Sequence, residues 1–92
     1  MRLRTLREGE IYKAQLARLG NIPRVDDALE ALLWGVCRKP EKFEPVPGMK
    51  DCYIAKTTAS GLVPALRLLI QIEDENHVKL CAIGRDVAGE GQ

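Results

Sequence analysis

Apolar and polar positions alternate most clearly over residues 65–73. Leu66, Leu68, Ile70 and Ile72 share one parity, and Ala65, Arg67, Leu69, Gln71 and Glu73 share the other. Successive side chains of a strand point to opposite faces, so this stretch predicts a strand with one apolar face. Residues 78–85 are also rich in strand-forming apolar residues, although lysine and arginine at one parity spoil a clean apolar face. The polar run Glu73-Asp74-Glu75-Asn76-His77 between them makes a buried antiparallel hairpin the economical reading. The rest of the chain is expected to build around it.

Residues 1–7 open with a short alternation, Leu3 and Thr5 on one side and Arg2 and Arg4 on the other, which predicts a strand with a wet arginine face. The plain alternative is a frayed end. From residue 8 to about 19 the period changes: Tyr12, Leu16 and Leu19 recur at helical spacing, Lys13, Gln15 and Arg18 are expected to face water, and Gly20 is a natural stop. Pro23 suits the first position of a second helix. Its stripe is Val25, Leu29, Leu32, Leu33 and Val36, with Asp26, Asp27 and Glu30 near the start, Arg38 and Lys39 near the end, and Pro40 as terminator. So short a link predicts a helical hairpin.

Residues 41–48, with Pro45, Pro47 and Gly48, read as a loop, and residues 50–58 as a strand with Cys52, Ile54, Lys56 and Thr58 on one parity. The order strand, helix, helix, strand, strand, strand predicts an α+β two-layer domain, its helices packed on a small, mainly antiparallel sheet. Residues 1–87 are expected to form one domain and residues 88–92 a loose tail.

Composition narrows this picture only a little. Ninety-two residues, 46% hydrophobic and 29% charged, fit one ordinary globular core. A net charge of +1 excludes a uniformly basic nucleic-acid binder but leaves room for a local patch. No apolar run approaches the ~20 residues that cross a bilayer, and no apolar segment follows the first arginines, so a cytoplasmic protein with no membrane partner is expected. Cys37, Cys52 and Cys81 are odd in number and widely spaced, which predicts buried, reduced thiols rather than disulfides or a zinc site.

Several chemistries lack their parts. The single histidine, His77, lies in the acidic turn, so neither a His/Cys metal cluster nor a Ser–His triad can be assembled, and no phosphate-cradling glycine loop precedes a helix. What remains is a set of cations on neighbouring strands: Lys50, Lys56, Arg67 and Arg85. Arginine offers a forked donor array and lysine a point charge, a combination suited to phosphate. The alternative is that these side chains merely cover sheet edges while their stems pack on apolar surface.

The order of elements, the segment Pro64-Ala65-Leu66-Arg67-Leu68-Leu69-Ile70-Gln71-Ile72 and the segment from Val78 to Gly84-Arg85-Asp86 together resemble the RelE/ParE superfamily of toxins from type II toxin–antitoxin pairs. Arg38-Lys39-Pro40 followed by Phe43 resembles a further family segment. The resemblance implies a RelE/ParE-like fold and a ribosome-dependent mRNA endonuclease needing no metal or cofactor, in which the RNA 2′-hydroxyl attacks the adjacent phosphate. In that reading Lys56 assists the 2′-hydroxyl, with its proton affinity lowered by neighbours such as Arg67. Arg67 clamps the phosphate and Arg85 acts near the end of the last strand, while Lys50, Arg2 and Arg4 are the expected RNA-binding residues. Many RelE-like nucleases also carry a tyrosine beyond the last strand, and residues 86–92 contain none. Either another group protonates the leaving oxygen or the chain does not cut RNA. The competing expectations are a ParE-like toxin that binds DNA gyrase and an inactive interaction domain. All three imply a cognate antitoxin as partner.

Overall fold

A computed structural model of the chain describes residues 3–20, 22, 24–59, 61 and 63–86. Strand β1 (Thr5–Glu8) leads into helices α1 (Glu10–Leu19) and α2 (Val25–Arg38). A 3₁₀ turn at Pro40–Lys42 follows, then β2 (Glu44–Pro45), β3 (Cys52–Lys56), β4 (Leu66–Ile72) and β5 (His77–Arg85). The five strands form one mixed sheet in the order β1-β5-β4-β3-β2. Its β1–β5 pairing is parallel and the other three are antiparallel. The α+β class is as expected. The element order departs from expectation at residues 41–48, where the supposed loop holds the 3₁₀ turn and a two-residue edge strand. Pro45 cannot donate to a ladder, and an edge position tolerates that.

The alternation in β4 holds: Leu66, Leu68 and Ile70 are fully buried while Arg67 and Gln71 are exposed. The mixed pattern of β5 has a local cause. The register to β4 slips between Leu69 and Ile70, which face Ala82 and Leu80, so Cys81 is an extra residue in β5. This β-bulge shifts the parity by one. Val78 and Leu80 are therefore buried before it and Ile83 after it. Tyr12 and Leu19 of α1 and Val25, Leu29, Leu32 and Val36 of α2 join these strand residues and Ala55 in one core cluster.

Gly9, between β1 and α1, has a steric reason to be glycine: a Cβ there would stand 3.0 Å from the Leu80 carbonyl oxygen and from Cε of Lys79. Its N–H donates to that same carbonyl at 2.9 Å. Between β2 and β3 the chain reverses with Gly48 at φ 79° and Asp51 at φ 59°, left-handed conformations that glycine and aspartate adopt most readily.

Two ion pairs fasten β1. Arg4 makes a forked contact with Glu41, both bonds 2.9 Å, and its Nε donates to the Glu75 carbonyl at 3.1 Å. Arg7 donates through Nε to Glu73 at 3.0 Å and through Nη2 to the other carboxylate oxygen. Hydrogen bonding from these arginines lowers the Glu41 and Glu73 pKa values. A carboxylate whose folded-state pKa is depressed stabilises the fold above its unfolded pKa, about 4.3, and the contribution is lost as pH falls through that value toward the folded pKa. The melting temperature should therefore drop between about pH 5 and pH 3, and Glu73→Gln should show a smaller drop. Parallel curves for the two proteins would remove Glu73 from the account.

Two features differ from sequence expectation. Cys52 is buried, but Cys37 and Cys81 are only partly so, and all three thiols are free. Partial burial raises the Cys37 and Cys81 pKa values. Gln15 does not face water: its Oε1 accepts the Ile83 N–H at 2.8 Å. The stretch of β5 beyond Leu80 runs past the end of β1, and Gln15 satisfies one edge donor there. The expectations for Pro23 and for the tail at 88–92 concern positions outside the described residues. No helix among the described residues is long and apolar enough to cross a membrane.

Candidate functional site

The strand registers arrange the outer face of the sheet in rows. Lys56 of β3 stands opposite Arg67 of β4, which stands opposite Gly84 of β5. The next row is Ile54, Leu69 and Ala82. The cationic row thus borders an apolar one, and Gly84 leaves open space where a side chain would otherwise stand: a Cβ there would meet nothing within 4 Å.

A hollow of about 350 Å³ lies over these rows. Its floor is Ile54, Leu69 and Ala82, Val46 and Met49 come from the reversal before β3, Gln15 and Ile83 stand at the β5 edge, and Arg67 and Arg85 also line it. The loop between β3 and β4 sets the cationic end. Thr57 N–H donates to the Leu66 carbonyl at 2.9 Å, and the Leu66 N–H donates to Thr57 Oγ1 at 2.8 Å. These two bonds hold the strands in the register that faces Lys56 with Arg67. Beyond Arg85, Asp86 N–H donates to the Ala65 carbonyl at 2.8 Å, which ties down the end of β5.

The sequence-predicted residues separate into two groups. Arg67 and Arg85 line the hollow, and Lys56 is the cross-strand neighbour of Arg67, with Nζ 3.9 Å from the Glu44 carboxylate. Lys50 is exposed in the reversal, next to Met49 but not itself lining the hollow. Arg4 is held by Glu41 and by the carbonyl of Glu75, in the turn at the other end of β5 from Arg85. A strand of that length spans about 30 Å, so Arg4 does not join the cluster. Arg2 lies outside the described residues. His77 is exposed, with Nδ1 2.9 Å from Asp74, and lies in the same distant turn region. Hydrogen bonding to His77 lowers the Asp74 pKa.

Sequence reasoning missed Glu44, Val46, Met49 and Gln15. Glu44 and Val46 flank Pro45 in a segment read as loop, and no local pattern reveals that Met49 folds back over β3. Gln15 sits on the polar side of a helix, where water is the default partner.

Chemically, the arrangement is an apolar trough with guanidinium groups at one end. It can receive a ligand that is flat or apolar along part of its length and anionic at the other. Two cations directly opposite on adjacent strands repel, with Cβ atoms only about 5 Å apart, and such pairs reduce sheet stability. Glu44 offsets this only at 3.9 Å, between largely exposed groups, where an ion pair contributes little. An arriving polyanion relieves the repulsion more fully. Among the described residues no cluster of three or more His, Cys, Asp or Glu side chains is placed to hold a metal ion. No family model, no curated protein and no solved structure matches this chain.

Proposed function

We propose that this chain is a RelE/ParE-like toxin that cuts mRNA on the ribosome, with Lys56, Arg67 and Arg85 as its working residues. The observation that supports this most is the pairing of Lys56 with Arg67 in register, next to a hollow that Arg67 shares with Arg85. In this reading a nucleotide base rests against Leu69 and Ile54 while the phosphate meets Arg67 and Arg85. The 2′-oxygen attacks phosphorus and its proton passes to water, while the Lys56 ammonium stabilises the negative charge developing on that oxygen. The bond from phosphorus to the 5′-oxygen breaks, and the departing oxygen takes a proton from water. Arg67 and Arg85 stabilise the extra negative charge of the five-coordinate phosphate, an electrostatic role that needs no metal.

A second reading is favoured by the apolar character of most of the lining, Val46, Met49, Ile54, Leu69 and Ala82. In it the chain is a ParE-like toxin that docks on DNA gyrase without catalysis. One experiment divides the two. Purified protein is added to a translation reaction with and without ribosomes, and in parallel to gyrase with supercoiled DNA. RNA cut only when ribosomes are present supports the first reading, and DNA breaks with intact RNA support the second. Neither product overturns both. In either toxin reading a cognate antitoxin is the expected cellular partner, covering the sheet face or the helices.

A further inference from the structure

We propose that the exposed face of α2 is a self-association surface on which a second copy of this chain packs antiparallel. The face carries the only tryptophan in the sequence, Trp34, which is 50% exposed although its helix neighbours Leu29, Leu32 and Val36 are buried. Beside the indole is a shallow recess of about 240 Å³, walled by Leu29, Leu33 and Cys37 and rimmed by Asp26 and Glu30. The Arg4 N–H donates to the Cys37 carbonyl at 3.0 Å, bringing Leu3, itself 51% exposed, beside the same end of the helix. A half-exposed tryptophan beside an apolar recess is the residue composition of an interface centre rather than of open surface.

Charge selects the occupant. The helix is acidic at its start, Asp26 and Asp27, and basic at its end, Arg38 and Lys39, and all four side chains are exposed. An antiparallel copy sets the acidic end of each helix over the basic end of the other. A two-fold axis creates this match twice, as a self-complementary patch requires. A parallel copy would set like charges against each other at both ends. Trp34 lies less than one turn past the middle of the helix, so the two indoles meet near the axis. Asp27 already stands 3.6 Å from Arg24 of its own chain, but both groups are largely exposed and the contact is weak competition. A helix of 14 residues is about 21 Å long, which limits the contact to the small end of interface sizes and the affinity to the micromolar range.

The test is sedimentation equilibrium of the full chain between about 5 and about 500 µM, with the emission of Trp34 read on the same samples. Mass should rise from one chain toward two, the emission should shift to shorter wavelength along the same curve, and Trp34→Ala should raise the dimer dissociation constant at least about tenfold. Two charge-reversed variants provide the decisive arm: Asp26→Lys with Asp27→Lys, and Arg38→Glu with Lys39→Glu. Each alone should be monomeric, and an equimolar mixture should recover the dimer, because each variant's altered end then faces its complement. Recovery on mixing also shows that both variants are folded. A monomer throughout the range overturns the proposal, as does a dimer indifferent to these changes or a mixture that stays monomeric. The indifferent dimer would place self-association on another surface, and the mixture that stays monomeric would remove the antiparallel charge match.

Discussion

Leu68→Ala should destabilise the fold by about 2–5 kcal/mol, and Leu69→Ala, one residue along the same strand, by clearly less. Leu68 is completely buried on the helix side of the sheet, between Ala55 of β3 and Ile83 of β5. Its neighbours are strands hydrogen-bonded on both sides, so they cannot collapse into the space that truncation leaves. The lost contacts and the cavity both count. For a domain of this length a loss of that size lowers the melting temperature on the order of 10–25 °C and is a large part of a total near 5–15 kcal/mol. Leu69 is only half-buried, in the floor of the outer hollow, and water can enter the space it leaves. Urea unfolding of the two variants at neutral pH is the measurement. Equal shifts in midpoint would mean that the two faces of β4 have been assigned the wrong way round.

On the proposed nuclease reading, Arg67→Ala should lower the rate of ribosome-dependent mRNA cleavage about 10²–10³-fold, while leaving the melting temperature within a few degrees. Arg67 is exposed, so removing it creates no cavity, and removing one of two facing cations takes away the repulsion with Lys56. The catalytic loss has a different origin: a preoriented donor aimed at developing negative charge is worth far more in the transition state than in the ground state. Arg67→Lys should recover only part of the rate, because a lysine keeps the charge but loses the fork. Arg18→Ala, an exposed change on α1, should leave cleavage as it was. If Arg67→Ala cuts as fast as the unaltered protein, Arg67 is not part of the reacting site. That result is separable from a failure of the toxin reading itself, in which the unaltered protein would cut nothing.

The hairpin of β4 and β5 could be read from the chain because its signals are local: a period-two alternation, a polar turn and a second apolar run. Both helices were legible for the same kind of reason, with Tyr12 and Leu19 in one and Val25, Leu29, Leu32 and Val36 in the other all found buried. The bulge at Cys81 was visible only as an untidy pattern in β5, since one extra residue in a strand leaves no mark beyond a parity error. The partners of Arg4, Arg7 and Gln15 lie 37 to 71 residues away and are chosen by the assembled sheet. At the site, the cations were legible as residue types on successive strands. Their adjacency depended on the register of β3 against β4, and the wall built by Val46 and Met49 depended on a reversal through left-handed positions at Gly48 and Asp51.

The parallel pairing of Thr5–Glu8 with residues 77–80 has a consequence during synthesis. Strand β1 has its ladder partner in β5, so it must wait, unpaired, while about seventy residues are added, and long-range pairing of this kind is slow to close. The trough on the outer face needs β5 for its Ala82, Gly84 and Arg85. A nascent chain therefore holds no finished trough until β5 has emerged from the tunnel, so whatever the trough binds finds no complete site on a partly made chain.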